Sequence, residues 1–200
     1  MVITKEKEEI TYYIIDTTFF LRTPYEILLN KVLDHISEKQ IALITTPLVI
    51  AEIKDRITSI ILSAIINKIT VIKPSRKYVN KIKSVAKKLG LLTLLSEADI
   101  EITSIGLQFL DKKRKVVIIT DDFSIQDICY FLKIPVASIT GKKIEFIYKI
   151  KKQCSLCGYI FDASKEFCPK CGSSNFNLIK KKIKGIEGIE DFSSLSKQLF

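Results

Sequence analysis

The stretch Lys115-Val-Val-Ile-Ile-Thr-Asp-Asp-Phe-Ser-Ile-Gln-Asp127 decides the fold class of this chain. Val116 to Ile119 are four consecutive β-branched apolar residues, a pattern typical of a strand buried on both faces of a parallel sheet. Two carboxylates, Asp121 and Asp122, follow this strand directly. Ligands of open α/β sheets bind outside the carboxyl ends of the strands, so this ending predicts a functional site.

Around this stretch, residues 10 to 140 alternate short apolar runs with helical patterns. Strands are predicted at residues 12–15, 41–44, 71–74, 116–119 and 136–139. Helices are predicted at residues 25–36, from Pro47 onward, and at 59–67, 75–89, 96–109 and 124–132. Strands that alternate with helices predict an α/β fold whose parallel sheet is covered on both sides.

Carboxylates recur at the predicted strand ends and in the helices. They are Asp16, Glu52, Asp99, Asp121 and Asp122. Taken singly, Asp16 and Asp121 can cap helices, Asp99 can belong to a capping box, and Glu52 can be solvated. Taken together, they would meet in one cleft, where like charges about 4 Å apart repel by roughly 4 kcal/mol at an effective dielectric of about 20. Such a cluster needs a cation, and oxygen ligands favour Mg²⁺ or Mn²⁺.

Other kinds of catalytic site lack their essential residues. His35 is the one histidine in the sequence, and it is predicted on a polar helix face beside Asp34. A serine triad or a histidine-dependent ribonuclease therefore has no obvious base. The sequence also has no glycine-rich phosphate loop, which argues against nucleotide-dependent chemistry.

Two cysteine pairs predict a second module. Cys154-Ser-Leu-Cys157 and Cys168-Pro-Lys-Cys171 are ten residues apart, and a glycine follows each pair. Four thiolates at this spacing favour a closed tetrahedral Zn²⁺ site. A mononuclear iron site of the rubredoxin type remains the alternative, and disulfides are disfavoured in a cytosolic protein. Cys129 lies in an apolar helical pattern and is interpreted as a small buried residue.

The formal net charge of +10 is concentrated near the cysteines. Residues 142–184 contain eleven lysines and three acidic residues, which indicates a polyanionic partner such as nucleic acid, or else a solvated lysine-rich face. Aromatic residues in this segment can stack on unpaired bases or pack over the metal site. These residues are Tyr159, Phe161, Phe167 and Phe176.

No apolar run is long enough for a membrane span, and the charged first nine residues do not resemble a signal peptide, so we expect a cytoplasmic protein.

Four segments resemble the PIN-domain nucleases in their order and separation. They are Ile14-Ile-Asp-Thr17, Pro47-Leu-Val-Ile-Ala-Glu52, Leu95-Ser-Glu-Ala-Asp99 and Ile119-Thr-Asp-Asp-Phe-Ser124. The resemblance spans nearly all of residues 10 to 140. It implies a compact parallel sheet flanked by helices and metal-dependent hydrolysis of RNA phosphodiester bonds. It also implies that Asp16, Glu52, Asp99 and Asp121 bind the catalytic metal and that Asp122 is a fifth catalytic acid.

A PIN-like domain followed by a zinc ribbon resembles the archaeal form of the Nin-one-binding endonuclease family, which matures the 3′ end of small-subunit ribosomal RNA. The resemblance implies precursor ribosomal RNA as substrate, a 3′-hydroxyl product and the small ribosomal subunit as partner. Asp127 departs from this family, in which asparagine is expected.

The predicted organisation follows from these segments. It comprises a nuclease domain at residues 1–148, a zinc ribbon with a basic stretch at 149–184, and an unassigned tail at 185–200. Two alternatives stay open. One is a toxin-type PIN ribonuclease acting on transfer or messenger RNA, and the other is a non-catalytic RNA-binding assembly protein whose acids are structural.

Overall fold

The structure is a computed structural model that describes residues 10–24 and 41–185, with side chains through residue 183. The predicted helix at 25–36, which includes His35 and Asp34, lies outside the described residues, as does the tail after residue 185.

The described chain contains eight strands and six α-helices. The strands are β1 (Thr11–Ile15), β2 (Ile41–Thr45), β3 (Ile69–Val71), β4 (Val116–Ile119), β5 (Val136–Ala137), β6 (Phe146–Cys154), β7 (Ile160–Asp162) and β8 (Phe176–Gly185). The helices are α1 (Thr17–Arg22), α2 (Pro47–Glu52), α3 (Arg56–Ile65), α4 (Arg76–Leu89), α5 (Glu97–Asp111) and α6 (Phe123–Leu132).

The first five strands form one parallel sheet in the order β3-β2-β1-β4-β5. All four residues of β4 are buried. Since alternate residues of a strand face opposite sides, both faces of the sheet are covered there. This arrangement confirms the predicted α/β class.

The register of the sheet sets the position of the site. Ile15 of β1 pairs with Ile119 of β4, and Ile14 pairs with Ile44 of β2. Asp16 therefore emerges beside Thr120 at the carboxyl edge of the sheet. The residues that follow β1 and β4 therefore lie next to each other at this edge.

Side-chain caps fix where several helices begin, as the sequence predicts. Thr46 caps α2 by accepting from the Val49 N–H, and Pro47 follows it in the first helical position. Ser96 and Asp99 form a complete capping box at the start of α5. Gly90 ends α4 with φ +74°, a left-handed conformation that glycine adopts readily.

Three predicted boundaries are wrong, each for a local reason. α3 begins at Arg56 instead of residue 59, because the Asp55 side chain caps it by accepting from the Thr58 N–H. β3 occupies 69–71 instead of 71–74, because buried Ile69 pairs with Leu43. β5 stops at Ala137 instead of residue 139, because the next backbone N–H groups donate to a carboxylate described below.

The cysteine-containing segment forms a separate antiparallel sheet in the order β7-β6-β8. We call residues 146–185 the ribbon. Ile150 of β6 and Ala163 belong to the same buried cluster as the core of the parallel sheet, whereas Cys154, Phe161 and Cys168 form a small second cluster. β6 also crosses the predicted domain boundary at residue 149, and that boundary stays a prediction.

Within the described ranges, no helix combines the length and apolarity needed to span a membrane.

Candidate active site and metal centre

Asp16 lies at the centre of the carboxyl edge of the sheet. Its side chain is 3% exposed and caps α1 by accepting from the Thr17 N–H at 2.6 Å. It also accepts from the hydroxyl groups of Thr18 at 3.0 Å and Thr120 at 2.8 Å. Burial raises the pKa of Asp16 above its ordinary value, these three hydrogen bonds oppose the rise, and the charge of Asp122 adds to it. Among the described residues, no lysine or arginine forms an ion pair with Asp16, and its hydrogen-bond donors are neutral groups.

Asp99 approaches Asp16 from the first turn of α5. Its carboxylate accepts from the Ser96 N–H at 2.7 Å. Burial, followed by the charges of Asp16 and Asp122, raises the pKa of Asp99 to about 6. The three aspartates are therefore close enough to repel one another, and we call them the acid cluster.

Asp122 completes this cluster from the residues after β4. Its Oδ1 caps α6 by accepting from the N–H groups of Ser124 at 2.6 Å and Ile125 at 3.3 Å. Its own N–H donates to the Thr120 hydroxyl at 3.0 Å. Thr120 therefore links Asp16 and Asp122 through a single hydroxyl group.

Glu52 lies at the last position of α2, on the exposed rim of the site. Its carboxylate accepts from the Thr17 hydroxyl at 2.9 Å, and Thr17 directly follows Asp16. A contact through Thr17 therefore places Glu52 beside the acid cluster.

Asp121 has different surroundings from its neighbour Asp122. Its Oδ1 accepts from the Ser138 hydroxyl at 2.5 Å and from the N–H groups of Ile139 at 2.9 Å and Thr140 at 3.3 Å. Its Oδ2 forms a salt bridge with Arg22 at 3.2 Å. Burial acts to raise the pKa of Asp121, but the hydrogen bonds from Ser138, Thr140 and Ile139 outweigh it and keep the pKa below its ordinary value. Its carboxylate is thus occupied in joining the ends of β4 and β5.

The acid cluster has the donor chemistry of a divalent cation site. Buried, mutually repelling carboxylates gain stability when a cation compensates them. Among residues 10–24 and 41–183, the carboxylates do not form a group of three whose ligand atoms all lie within 4.8 Å. Mg²⁺ suits such spacing because it keeps several of its waters and binds through one or two carboxylates. The residues present therefore fit a partly hydrated Mg²⁺ or Mn²⁺ ion.

The four ribbon cysteines form a second, tighter metal-binding group. Their sulfur atoms all lie within 4.8 Å of one another, with Cys154 Sγ 3.5 Å from Cys171 Sγ and Cys157 Sγ 3.6 Å from Cys168 Sγ. These separations are too long for disulfides and suit a tetrahedral ion with bonds of about 2.3 Å to sulfur. Hydrogen bonds from the N–H groups of Cys157 and Leu156 help lower the pKa of Cys154 to about 6. The predicted cysteine cluster is confirmed, and Zn²⁺ fits its donor set.

Sequence reasoning missed the hydroxyl and guanidinium groups that organise the carboxylates. They are Thr17, Thr18, Thr120, Arg22 and Ser138. The one signal available was that threonine directly follows Asp16 and directly precedes Asp121. The pairing of Asp121 with Arg22 and Ser138 spans 99 and 17 residues, so no local pattern predicts it.

Asp127 lies on the side of α6 that contacts the ribbon. It is 7% exposed, and its Oδ1 accepts from the Tyr148 N–H of β6 at 3.2 Å. Burial raises the pKa of Asp127 to about 6; the hydrogen bond from Tyr148 and the charge of Lys180 oppose the rise, and the charge of Asp122 adds to it. The structure therefore shows Asp127 in a contact between helix and ribbon.

Comparison with known proteins identifies the fold and the family. The family model "PIN domain of ribonuclease" matches residues 13–109, which include Asp16, Glu52 and Asp99. The endoribonuclease Nob1 of Archaeoglobus fulgidus is 33% identical over 131 residues, which cover 66% of this chain and 76% of that protein. The endoribonuclease Nob1 of Pyrococcus abyssi is 31% identical over 133 residues, covering 64% and 79%.

A more distant similarity connects the chain with another ribonuclease. Ribonuclease VapC1 of Thermoplasma acidophilum is 27% identical over 124 residues, covering 62% of this chain and 61% of that protein. The identity with both Nob1 proteins exceeds this value, and the match covers more than three quarters of each of them. The chain therefore belongs to the Nob1 family of PIN-domain endoribonucleases.

Proposed function

We propose that this chain hydrolyses phosphodiester bonds of precursor small-subunit ribosomal RNA at the acid cluster, with a divalent cation as cofactor. The observation that carries the proposal is the mutual repulsion of Asp16, Asp99 and Asp122. Among the described residues, no lysine or arginine forms an ion pair with any of these three carboxylates. Uncompensated carboxylates at the carboxyl edge of a parallel sheet suit a metal-dependent phosphodiesterase. The ribosomal substrate is inferred from membership of the Nob1 family.

Each acid has a proposed role that its contacts support. Asp16, Asp99 and Asp122 would hold Mg²⁺ or Mn²⁺, and Glu52 would complete the ligand set from the rim. The bound cation would supply the positive charge that stabilises an in-line displacement at phosphorus. Thr120 orients Asp16 and Asp122 through its hydroxyl.

The predicted metal ligand Asp121 is proposed here as a positioning residue. Its two oxygens already have four partners among Arg22, Ser138, Ile139 and Thr140. By holding the end of β5 against the end of β4, it fixes the backbone from which Asp122 projects. Its effect on cleavage would act through the position of Asp122.

The proposed hydrolysis adds water across the phosphodiester bond and leaves a 3′-hydroxyl and a 5′-phosphate. The small ribosomal subunit is the proposed partner, because it contains this RNA. Zn²⁺ in the ribbon would be structural, since all four positions of a tetrahedral site are filled by cysteine.

A cleavage assay tests the substrate class. Purified full-length chain is mixed with Mn²⁺ or Mg²⁺ and a transcript that spans the 3′ end of small-subunit ribosomal RNA and its trailer. We expect one cut that leaves a 3′-hydroxyl, and no cut without divalent cation. Asp111→Asn, at the exposed end of α5, is the matched control and should cleave normally.

Transfer and messenger RNA transcripts in the same assay test the toxin-type alternative, which the similarity to ribonuclease VapC1 favours. Preferred cleavage of either would overturn the ribosomal assignment. Binding of the ribosomal transcript without any cleavage would instead support a non-catalytic assembly protein.

A further inference from the structure

A groove between the parallel-sheet domain and the ribbon has five lysines on its walls. Its volume is about 540 Å³. We call it the lysine groove. Its lysines are Lys88 at the end of α4, Lys149 and Lys151 of β6, and Lys181 and Lys182 of β8. The groove thus takes its charge from both parts of the molecule.

The positive charge of the groove is largely uncompensated. Among the described residues, one acid, Asp162, forms an ion pair with these lysines, at 3.8 Å from Lys149. Two of the other groove lysines contact aromatic rings instead of carboxylates. Lys88 Nζ lies 5.4 Å from the ring centre of Phe131, and Lys182 Nζ lies 2.8 Å from that of Phe146. Both lysines are exposed, so their ammonium groups can contact an anion.

The two walls of the groove are packed together and form one surface. A Cβ atom at Gly90, two residues after Lys88, would clash with the carbonyl oxygen of Ile150 in β6. Ile150 itself is buried in the core of the parallel-sheet domain. Asp127 adds a hydrogen bond to Tyr148 in the same strand. A ligand in the groove therefore meets a preformed site.

The apolar part of the groove indicates the class of ligand. Leu89 and Phe131 line it beside the lysines. Lysines alone would suit any polyanion, but an aromatic ring among them suits an unpaired strand, which can stack a base while the lysines contact its phosphates. In a duplex the faces of the bases are stacked inside the helix, so a duplex would contact the lysines only, through its phosphates.

We propose that the lysine groove binds an unpaired segment of the RNA that is cut at the acid cluster. This inference rests on the proposed function, because it takes both contacts to belong to one RNA. Phe131 follows Asp122 by nine residues of α6, which corresponds to about 13 Å along the helix axis. The groove is thus a second contact, separate from the catalytic acids, and it depends on the ribbon remaining docked.

The test measures binding of a fluorescent unpaired oligonucleotide by anisotropy at several salt concentrations, with full-length zinc-loaded protein and no added Mg²⁺ or Mn²⁺. The variant Lys88→Gln/Lys181→Gln removes one exposed lysine from each wall. Each lost contact to a single strand should reduce the salt slope by about 0.7. The double variant should therefore lower the slope by about 1.4 and the affinity by about 25-fold at 0.1 M salt.

The matched control is Lys112→Gln/Lys170→Gln, which removes one exposed lysine from each part of the molecule outside the groove. We expect it to keep the wild-type slope and affinity. Equal losses in both double variants would show that net charge alone matters and would overturn the proposal. Unchanged binding by the groove variant, or equal loss of affinity for an unpaired strand and a duplex, would also overturn it.

Cleavage separates failure of this proposal from failure of the proposed function. If wild-type protein cuts RNA with Mn²⁺ and the groove variant binds and cuts normally, only the groove assignment is wrong. If the groove variant loses binding but wild-type protein cuts nothing, the groove does bind an unpaired strand, but the catalytic assignment is wrong and with it the claim that this strand belongs to a cleaved RNA. Zinc content and circular dichroism of both variants should match the wild type, since all four lysines are on the surface.

Discussion

At the residue level, the proposed function gives two adjacent aspartates different roles: Asp122 would bind the metal, and Asp121 would position Asp122. The charge of Asp122 acts on Asp16 and Asp99. The Asp121 carboxylate instead has four partners, namely Arg22, Ser138 and two backbone N–H groups. Asp122→Asn should reduce single-turnover cleavage by at least about 100-fold, the usual cost of losing an electrostatic catalytic group. Its melting temperature should change little, because asparagine still caps α6.

Asp121→Asn should affect stability more than Asp122→Asn does, and cleavage less. The Asp121 carboxylate pairs with Arg22 and accepts a hydrogen bond from Ser138. Loss of its charge should lower the free energy of unfolding by about 1–3 kcal/mol, as measured by denaturant unfolding. Cleavage should fall less than in Asp122→Asn. Full stability together with complete loss of cleavage by Asp121→Asn would restore Asp121 as a metal ligand.

Asp127 should make the stability of the protein depend on pH. Its pKa is about 6 in the folded chain, above the ordinary value of 3.8, so the folded state binds more protons than the unfolded state between about pH 4 and 6. Stability therefore falls as pH rises through this window and stays lower above it. Asp127→Asn, which keeps an acceptor for the Tyr148 N–H, should raise stability at pH 7 by at most about 3 kcal/mol.

The test for Asp127 is thermal unfolding of wild type and Asp127→Asn from pH 4 to 8. The two curves should converge near pH 4, where the aspartate is protonated in the folded state. A constant difference across the whole range would contradict the pKa explanation. Asp99 has a raised pKa as well, so part of the pH dependence should remain in the variant.

At the level of helices and strands, substitution of Gly90 at the end of α4 tests whether the ribbon packs against this helix. Gly90 and Gly141 have nearly equal positive φ angles of 74° and 76°, but only Gly90 lies against other atoms. Gly141→Ala should cost about 1–2 kcal/mol through backbone strain alone. Gly90→Ala should cost clearly more, because its Cβ would clash with the Ile150 carbonyl oxygen. Equal losses in denaturant unfolding would show that the ribbon does not press on α4.

Local sequence patterns predicted most elements, because most begin or end at residues whose side chains cap them. Thr46, Ser96 and Gly90 act within four residues of the groups that they satisfy, and the structure has them in their predicted roles. The end of β5 could not be predicted in this way. Ile139 continues the apolar run of that strand, but its N–H donates to Asp121, which lies 18 residues earlier.

At the level of the whole molecule, the ribbon and the parallel-sheet domain share part of their core. The sequence predicted a nuclease domain and a zinc ribbon with a boundary near residue 149, because the cysteine spacing describes the metal site but not which residues of β6 face the helices. Ile150 and Ala163 instead lie in the large cluster.

Cys168→Ser measures this coupling. Loss of one of four ligands should release Zn²⁺, which metal analysis would detect, and should unfold the ribbon beyond Cys154. Because the core is shared, hydrogen exchange should also accelerate at β6 and at the end of α4. Cys129→Ser is the control: Cys129 is buried and lies outside the cysteine cluster, so this change should lower stability without loss of zinc. Unchanged exchange in α4 would indicate separate cores.

The central claim is that carboxylates at the carboxyl edge of the sheet hold a divalent cation that is required for RNA cleavage. Asp16 tests it most directly, because its structural role as the cap of α1 is fulfilled about equally well by asparagine. The measurement is the single-turnover cleavage rate of Asp16→Asn with saturating Mn²⁺. We predict a rate at least about 100-fold below wild type, with RNA binding and melting temperature preserved. A rate within about twofold of wild type, which the capping role alone predicts, would contradict the claim.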